Sequence, residues 1–179
     1  MTKQSSCHKG EKKAIFVATK PGKYVSVDQM ESTQLGFVAQ AKGKLTIKRY
    51  HYSTVFVDHL SRLRYVHFME RLTGVETLAA KRAFESYAAE HGVRISHYHC
   101  DNGRFAKKLF MNSCELNGEQ FTFCGVNAHF QNGIAEKSIQ DITEAGRKML
   151  LHAKMRWPRA IDLSLWPYAV SQACHIHNN

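Results

Sequence analysis

The first half of the chain alternates apolar and polar positions in short runs, a pattern that predicts β-strands. Strands are predicted at residues 24–28, 45–52, 54–58 and 64–69. The segment between the last two of these is short enough for a hairpin turn, so we expect neighbouring antiparallel strands here. Residues 31–43 show no clear period and are predicted to form a loop.

Helical periodicity begins with Thr73-Gly-Val-Glu76, which has the sequence of a capping box. Ala80 and Phe84 follow on one face, and Gly92 is the predicted C-terminal stop. Further helices are predicted at residues 104–117, 134–153 and 166–177, and further strands at residues 93–100 and 120–124. Because a strand–helix–strand unit favours a right-handed parallel crossover, residues 93–100 should end at a carboxyl edge of the sheet, where open α/β sheets bind ligands.

The later helices have predicted inward faces, and Ser164 is the predicted cap of the last one. In the helix at residues 104–117, Phe105, Leu109 and Leu116 share one side. The longest helix carries an inward stripe made of Ala135, Ile139, Ile142, Gly146, Met149 and Ala153. The elements together indicate the α/β class, with a mixed five-stranded sheet and helices on both of its faces.

Composition narrows the class of protein. A chain of 179 residues with 44% hydrophobic residues suits one globular domain. No apolar run approaches the roughly 18 residues of a membrane helix, and the N-terminus lacks a hydrophobic signal region. We therefore expect an intracellular chain without a membrane partner. Five cysteines in such a chain favour reduced, mostly buried thiols.

The chain is strongly basic, with 25 Lys and Arg residues against 15 Asp and Glu residues and a formal charge of +10. This balance favours a polyanionic partner through phosphate contacts. A soluble basic protein without such a partner fits the charge equally well. Residues 1–23 contain many lysines and little that packs, so they are predicted to form a flexible basic arm before a domain at residues 24–179.

Three acidic residues lie at the ends of predicted strands or at the start of a predicted helix. Asp28 and Asp101 each follow an apolar strand, and Glu136 opens the longest helix. Carboxylates gathered at one place are what a divalent metal requires. A glutamate in the first turn of a helix is also an ordinary complement of the helix dipole, so Glu136 alone would be unremarkable.

Five segments carry a family resemblance by their order along the chain. They are Tyr24-Val-Ser-Val-Asp28, Val55-Phe-Val-Asp-His-Leu-Ser-Arg62 with Tyr65-Val-His-Phe68, His99-Cys-Asp-Asn-Gly103, Gln131-Asn-Gly-Ile-Ala-Glu136 and Leu163-Ser-Leu-Trp166. Together they resemble the catalytic core of a retroelement integrase, closest to copia-type retrotransposon integrases of the ribonuclease H-like superfamily. The resemblance covers residues 24–179, and a C-terminal truncation of the core remains open.

The resemblance implies a catalytic mechanism and partners. Asp28, Asp101 and Glu136 would be the catalytic and metal-binding residues, holding two Mg²⁺ or Mn²⁺ ions for 3′ end processing and DNA strand transfer. The implied partners are element ends, target DNA and further copies of the chain. The implied location is the nucleus at the time of integration.

The chain departs from the family pattern in three places. The spacing between Asp101 and Glu136 is one residue shorter than is typical, and the proline usually found before the Gln-Asn-Gly turn is absent. Lysines that many relatives carry after the glutamate are replaced by Gln140 and Thr143. Further predicted DNA-binding residues are Lys137, Arg147 and Lys148, as substitutes for those lysines, and Asn102, Gly103, Asn132 and Gly133.

Several residues keep a second interpretation. Asn102-Gly103 and Asn132-Gly133 are equally compatible with simple turns. His97 and His99 alternate on one strand and imitate a zinc cluster, but their spacing is not that of zinc ligands and favours core packing. Cys7-His-Lys-Gly10 resembles the end of the zinc module that precedes the core in this family, but Gln4 stands where its first cysteine would be, so a zinc site is not expected there. Asp58 is expected to hold a turn.

Two classes of function follow from these observations. The first is an enzyme, an Mg²⁺-dependent DNA integrase, with a metal-dependent nuclease of the same fold as a related possibility. The second is a catalytically inactive nucleic-acid-binding or multimerisation module derived from the same fold.

Overall fold

Five strands form one mixed sheet in the order β3-β2-β1-β4-β5. The computed structural model describes residues 17–37, 48–101, 105, 107–125 and 132–179. The strands are β1 (Val25–Gly36), β2 (Tyr50–Asp58), β3 (Arg64–Met69), β4 (His97–Cys100) and β5 (Gln120–Phe123). The helices are α1 (Gly74–Glu90), α2 (Lys108–Asn117), α3 (Gly133–Arg156) and α4 (Trp166–Asn178). Most of the predicted basic arm lies outside the described residues.

The sheet is mixed because β1 has two different neighbours. It pairs antiparallel with β2 and parallel with β4, while β2 pairs antiparallel with β3 and β4 pairs parallel with β5. The predicted hairpin strands, the parallel fourth strand and the mixed five-stranded sheet are thereby confirmed.

Helices cover both faces of the sheet, as predicted. On one face, Val25, Val27 and Tyr98 pack with α1 and α2, and the rings of Phe56 and Phe84 stack at 4.6 Å between centroids. On the other face, Val55 and Val57 pack with residues of α3 and α4. Alternate residues of one strand therefore serve two separate cores.

The predicted end of the first strand is wrong. β1 continues past Asp28 to Gly36, through the segment predicted to be a loop, because Gln29, Met30 and Glu31 keep pairing with β2. β2 likewise is one strand from Tyr50, where two were predicted. Long-range pairing decides both boundaries, and a sequence period does not report it.

The start of α1 follows the predicted capping box only in part. The Thr73 side chain accepts a hydrogen bond from the Glu76 N–H, as predicted. The Glu76 carboxylate accepts from the backbone N–H groups of Glu70 and Arg71 instead of from Thr73. It therefore holds the chain that enters the helix.

The predicted face of α2 is wrong. Phe110 and Cys114 are its buried residues, and Leu109 and Leu116 are exposed. The helix begins at Lys108, so Phe105 is buried ahead of it. Among the described helices, none combines the length and the apolar character needed to cross a membrane.

The stripe predicted for α3 is confirmed, since Ala135, Ile142 and Gly146 are buried and its other members are half-buried. Gly146 packs on the backbone of Ala169 in α4, since a Cβ there would lie 3.2 Å from the Ala169 carbonyl carbon. The N-terminus of α4 has no side-chain cap; Asp162 instead caps the 3-10 turn Leu163–Leu165 before it, by accepting from the Ser164 N–H. The sequence-based choice of Ser164 as the cap is therefore wrong.

A buried ion cluster joins α1 to the start of β5. Lys81 has no exposed surface, and its ammonium group pairs with the carboxylates of Glu85 and Glu119, the latter at 2.6 Å. It also donates to Ser113 and lies 5.4 Å from the centre of the Tyr98 ring. The partners of this cation come from α1, α2, β4 and the residue just before β5.

Gly36→Ala is expected to destabilise the fold by about 1 to 3 kcal/mol. A Cβ at Gly36 would collide with the Trp166 ring nitrogen and lie 2.6 Å from two Pro167 ring carbons. Rigid rings cannot yield, so the bond from Trp166 Nε1 to the Gln34 carbonyl oxygen, 2.8 Å long, would be strained as well. Urea unfolding measures the loss. Gly133→Ala is the control, because nothing lies within 4 Å of a Cβ there, and equal midpoints would contradict the expectation.

Candidate active site at the edge of the sheet

Asp28 and Asp101 lie side by side on neighbouring parallel strands. The last paired residues of β1 and β4 are Val27 and Cys100, and the next residue on each strand is an aspartate. Neighbouring strands in a sheet are about 4.8 Å apart, and residues that lie opposite each other on two such strands point to the same face. Both carboxylates are half-buried, and Asp28 Oδ1 accepts a 2.7 Å hydrogen bond from the Gln29 N–H.

Glu136 comes to this edge because α3 is fastened to β1. The Asn132 side chain, only 2% exposed, donates a 2.9 Å hydrogen bond to the Val27 carbonyl oxygen. This bond joins the first residue before α3 to the residue before Asp28. Glu136 is exposed in the first turn of the helix.

The pKa of the Cys124 thiol, just beyond β5, is affected by all three acids. Burial raises the pKa of Cys124 to about 11, and the negative charges of Asp101, Glu136 and Asp28 add to this effect. Charges act on a thiol in this way only from nearby. The three acids, far apart in the chain, therefore lie in the wider surroundings of Cys124, although the described side chains are not grouped closely enough to hold a metal ion.

The donor chemistry of this edge fits the implied divalent ions, since three carboxylates supply the hard oxygen ligands that Mg²⁺ prefers. The register of Asp28 and Asp101 fits as well. Within the described ranges, no three His, Cys, Asp or Glu side chains are grouped closely enough to hold a metal ion. Glu136 is exposed, so its side chain can rotate without disturbing the core.

The residues predicted to touch DNA in the two Asn-Gly segments have different outcomes. Asn102 and Gly103 lie outside the described residues. Gly133 is the first residue of α3, and no atom of the part of the chain that the structure describes lies within 4 Å of where its Cβ would be. Asn132 is buried, and its amide holds the helix on the strand by donating to Val27; among the described residues its Oδ1 has no hydrogen-bond partner.

The predicted DNA-binding cations are all exposed on α3. Lys137 forms an ion pair with Asp141 at 2.8 Å, and Lys148 forms one with Glu144 at 2.6 Å. Exposed pairs of this kind contribute little to stability and exchange readily for other anions. Arg147 has no ion pair among the described residues.

A polar cluster lies beside the acids on the same face of the sheet. The Ser26 hydroxyl and His59 Nε2 are 2.8 Å apart, and the Thr122 hydroxyl lies 2.9 Å from both His97 Nε2 and His99 Nδ1. The alternation of His97 and His99 indicated this face, whereas nothing in the sequence singled out His59. His97 and His99 are both buried, as the packing role predicted for the two strand histidines requires.

Burial, with the nearby positive charge of Arg62, lowers the pKa of His59 to about 4. The unfolded chain then takes up a proton at about pH 6.5 that the folded chain refuses, so stability should fall as the pH drops from about 6.5 towards 4. Because His59 is half-exposed and screened by solvent, we expect its share to be about 1 kcal/mol. The measurement is the change in the urea unfolding midpoint between about pH 7 and pH 5. This change should be smaller for His59→Gln than for the wild type. His152→Gln, at an exposed position, is the control and should behave as the wild type does. Equal pH dependence in all three proteins would contradict this origin.

Asp58, like Asp28, is an aspartate at the end of a predicted strand, and it holds a turn as predicted. Its carboxylate accepts hydrogen bonds from the N–H groups of Gly22, Leu60 and Ser61 and from the Ser61 hydroxyl. With these donors it is occupied by the protein itself. It is therefore unsuited to bind a cation.

Comparison with known proteins identifies the fold. The sequence matches no protein-family model and no curated protein. The HTLV-2 integrase catalytic core domain in complex with magnesium matches with a TM-score of 0.61 and 19% identity, over 88% of this chain and 86% of that chain. The BIV integrase catalytic core domain matches with a TM-score of 0.55 and 16% identity, over 86% and 81%.

A larger assembly gives the same result. A chain of the simian T-cell lymphotropic virus intasome matches with a TM-score of 0.67 and 18% identity, over 94% of this chain and 52% of that chain. This chain thus spans about half of that one. The copia-type likeness is not addressed by these matches and stays a prediction. In its architecture, the chain has the ribonuclease H-like fold of retroviral integrase catalytic cores.

Proposed function

We propose that the chain is an integrase catalytic domain that cleaves and joins DNA phosphodiester bonds to insert element DNA into target DNA. The observation that carries the proposal is the register of β1 and β4, which sets Asp28 beside Asp101. The Asn132 bond to Val27 supports it, because it brings the helix of Glu136 to the same edge. The net charge of +10 agrees with a nucleic-acid substrate.

Asp28, Asp101 and Glu136 would hold the divalent ions, Mg²⁺ or Mn²⁺, that this chemistry uses. When bound, such ions activate a water or hydroxyl nucleophile and stabilise the charge that develops on the phosphate. The protein's own part is to fix the two aspartates side by side at the end of a rigid sheet. Asn132 is a positioning residue in this scheme.

DNA would lie along the exposed side of α3, where Lys137, Arg147 and Lys148 can reach phosphates. Open space above Gly133 lets a backbone approach the start of the helix. Assembly of several copies is also part of the proposal, supported by the dimeric and trimeric forms in which the HTLV-2 core domain was solved. Integration would place the protein in the nucleus.

The test is a disintegration assay, in which a branched oligonucleotide that mimics a joined element end is incubated with the chain. We expect cleavage and rejoining with Mn²⁺ or Mg²⁺ and none in EDTA. Because the branched substrate needs no particular element terminus, the isolated chain can be assayed directly. Folded, DNA-binding protein that shows no metal-dependent activity would reject the proposal.

That negative result would favour a second candidate function, an inactive nucleic-acid-binding or multimerisation module. The observation in its favour is that the described side chains form no three-ligand metal group. Such a module would bind DNA in a salt-dependent manner whether or not a divalent ion is present.

A further inference from the structure

An apolar groove lies between α3, the far end of β1 and the segment that leads into α4. Its volume is about 810 Å³. The lining is mainly apolar, and the side chains that matter here are Met30, Ile139, Leu150, Leu151, Leu163 and Trp166. It follows α3 from Ile139 to Lys154, a length of about 22 Å at 1.5 Å per helical residue. A groove of that length matches four turns of another helix.

The outer rim of this groove is exposed in the structure. Leu151 is 54% exposed and Leu163 is 66% exposed. Met155 and Trp157, also exposed, extend the apolar surface at the end of α3. Contiguous apolar surface of this kind marks an interaction site more often than scattered single side chains do.

The two walls of the groove differ in charge. The cations of the α3 wall that line the groove are Arg147 and Lys154. Arg156 and Arg159, both exposed, follow them in the sequence. The opposite wall carries Glu31 and Asp162. An occupant that satisfies both walls must be apolar in the middle and acidic on the side that faces α3.

We propose that this groove binds an amphipathic helix of a partner protein, with an apolar ridge in the groove and acidic residues along the flank beside α3. Helices recognised in this way place apolar side chains at spacings of three and four residues in a groove. The acids would meet Arg156 and Arg159 at the rim. Leu151 lies about 22 Å along α3 from Glu136, so the helix would bind well away from the acids of the active site.

Two other occupants fit the groove less well. A DNA backbone offers no apolar group to the leucines, and its phosphates would be repelled by Glu31 and Asp162. A second copy of the chain, packed symmetrically groove to groove, would set the same cations of α3 against each other. Charge and apolarity together therefore favour the acidic amphipathic helix.

The probe is a fluorescein-labelled synthetic helix of about 18 residues, with leucines on one face and glutamates on one flank. Binding to the full chain is measured by fluorescence anisotropy. We expect saturable binding that weakens about tenfold for the double variant Leu151→Ala, Leu163→Ala. The matched control is Leu109→Ala, Leu116→Ala, which removes exposed leucines from the other face of the sheet and should bind as the wild type does.

Charge is tested separately. Arg156→Gln with Arg159→Gln should weaken binding about tenfold at low salt and much less at high salt, whereas Arg82→Gln with Lys108→Gln should have no effect. A peptide with lysine in place of each glutamate should bind far more weakly. Near-UV circular dichroism checks that each variant is folded.

Several results would overturn the proposal. The first is a scrambled peptide that binds as tightly as the designed one, and the second is an unchanged affinity of the Leu151, Leu163 variant. Competition by duplex DNA that depends on these leucines would assign the groove to DNA. Conversion of a dimer to a monomer by Leu163→Asp would assign it to a second copy. If the peptide binds only after residues 38–47 are replaced by a Gly-Ser linker, the groove of the unaltered chain is occupied by those residues.

Discussion

Asp101→Asn is expected to abolish metal-dependent cleavage and joining of DNA while leaving salt-sensitive DNA binding intact. The substitution keeps the size of the side chain and removes one negative charge at the place where β4 ends beside Asp28. Changes in groups that only support metal ligands cost about 10-fold to 100-fold, so loss of a ligand should exceed about 100-fold. Disintegration of branched DNA measures the activity, and anisotropy of a labelled duplex measures binding.

The control for this variant is Glu115→Gln, which removes one negative charge from an exposed position on α2, on the other face of the sheet. It should cleave as the wild type does. Retained activity in Asp101→Asn would reject the assignment of this carboxylate. Loss of DNA binding together with activity would indicate a folding defect and would require the comparison to be made at equal folded fraction.

Lys81→Met is expected to destabilise the fold by about 3 to 5 kcal/mol. Burial acts to lower the pKa of Lys81, but the hydrogen bonds and charges of Glu119 and Glu85 outweigh it and raise the pKa. Removing the cation leaves two carboxylates facing each other in the protein interior. For a chain of this size, a melting temperature lower by about 10 °C is expected.

Two comparisons separate a lost ion pair from lost packing. The triple variant Lys81→Met, Glu85→Gln, Glu119→Gln should recover much of the stability, because no unpaired charge remains. Lys148→Met, which breaks the exposed pair with Glu144, should cost no more than about 0.5 kcal/mol. Burial already raises the pKa of Glu119, so the cost of Lys81→Met should shrink as the pH falls. A cost that stays constant with pH would contradict the electrostatic account.

The place of Asp101 at a carboxyl edge of the sheet was predictable from the sequence because it follows from local signals and one topological rule, whereas the pairing of β1 with β4 that sets Asp28 beside it was not. Strand patterns placed both acids at apolar runs, and the crossover rule made the two strands parallel. The capping threonine of α1 and the central stripe of α3 were predictable for the same reason, since each depends on residues a few positions apart. The fold class followed from the order of these elements.

Other features depend on contacts between distant residues, which periodicity does not encode. The bond between Asn132 and Val27 spans 105 positions, and the contact between Ser26 and His59 spans 33. Leu116 has the right spacing for an inward face yet is 87% exposed, because α2 turns Phe110 and Cys114 to the core instead. Lys81 shares the Ala80 and Phe84 side of α1, where a helix pattern gives no reason to expect a cation.

The unequal lengths of β1 and β4 have a consequence for sequence drift. Up to Val27, β1 is flanked by strands on both sides, whereas the later residues of β1 pair with β2 alone, since β4 stops at Cys100. Substitutions in the first half therefore disturb two partners, and those in the second half disturb one. Random substitutions at the exposed positions between Met30 and Gly36 should therefore be tolerated before substitutions ahead of Asp28, so β1 should lose its sequence from these outer positions inwards.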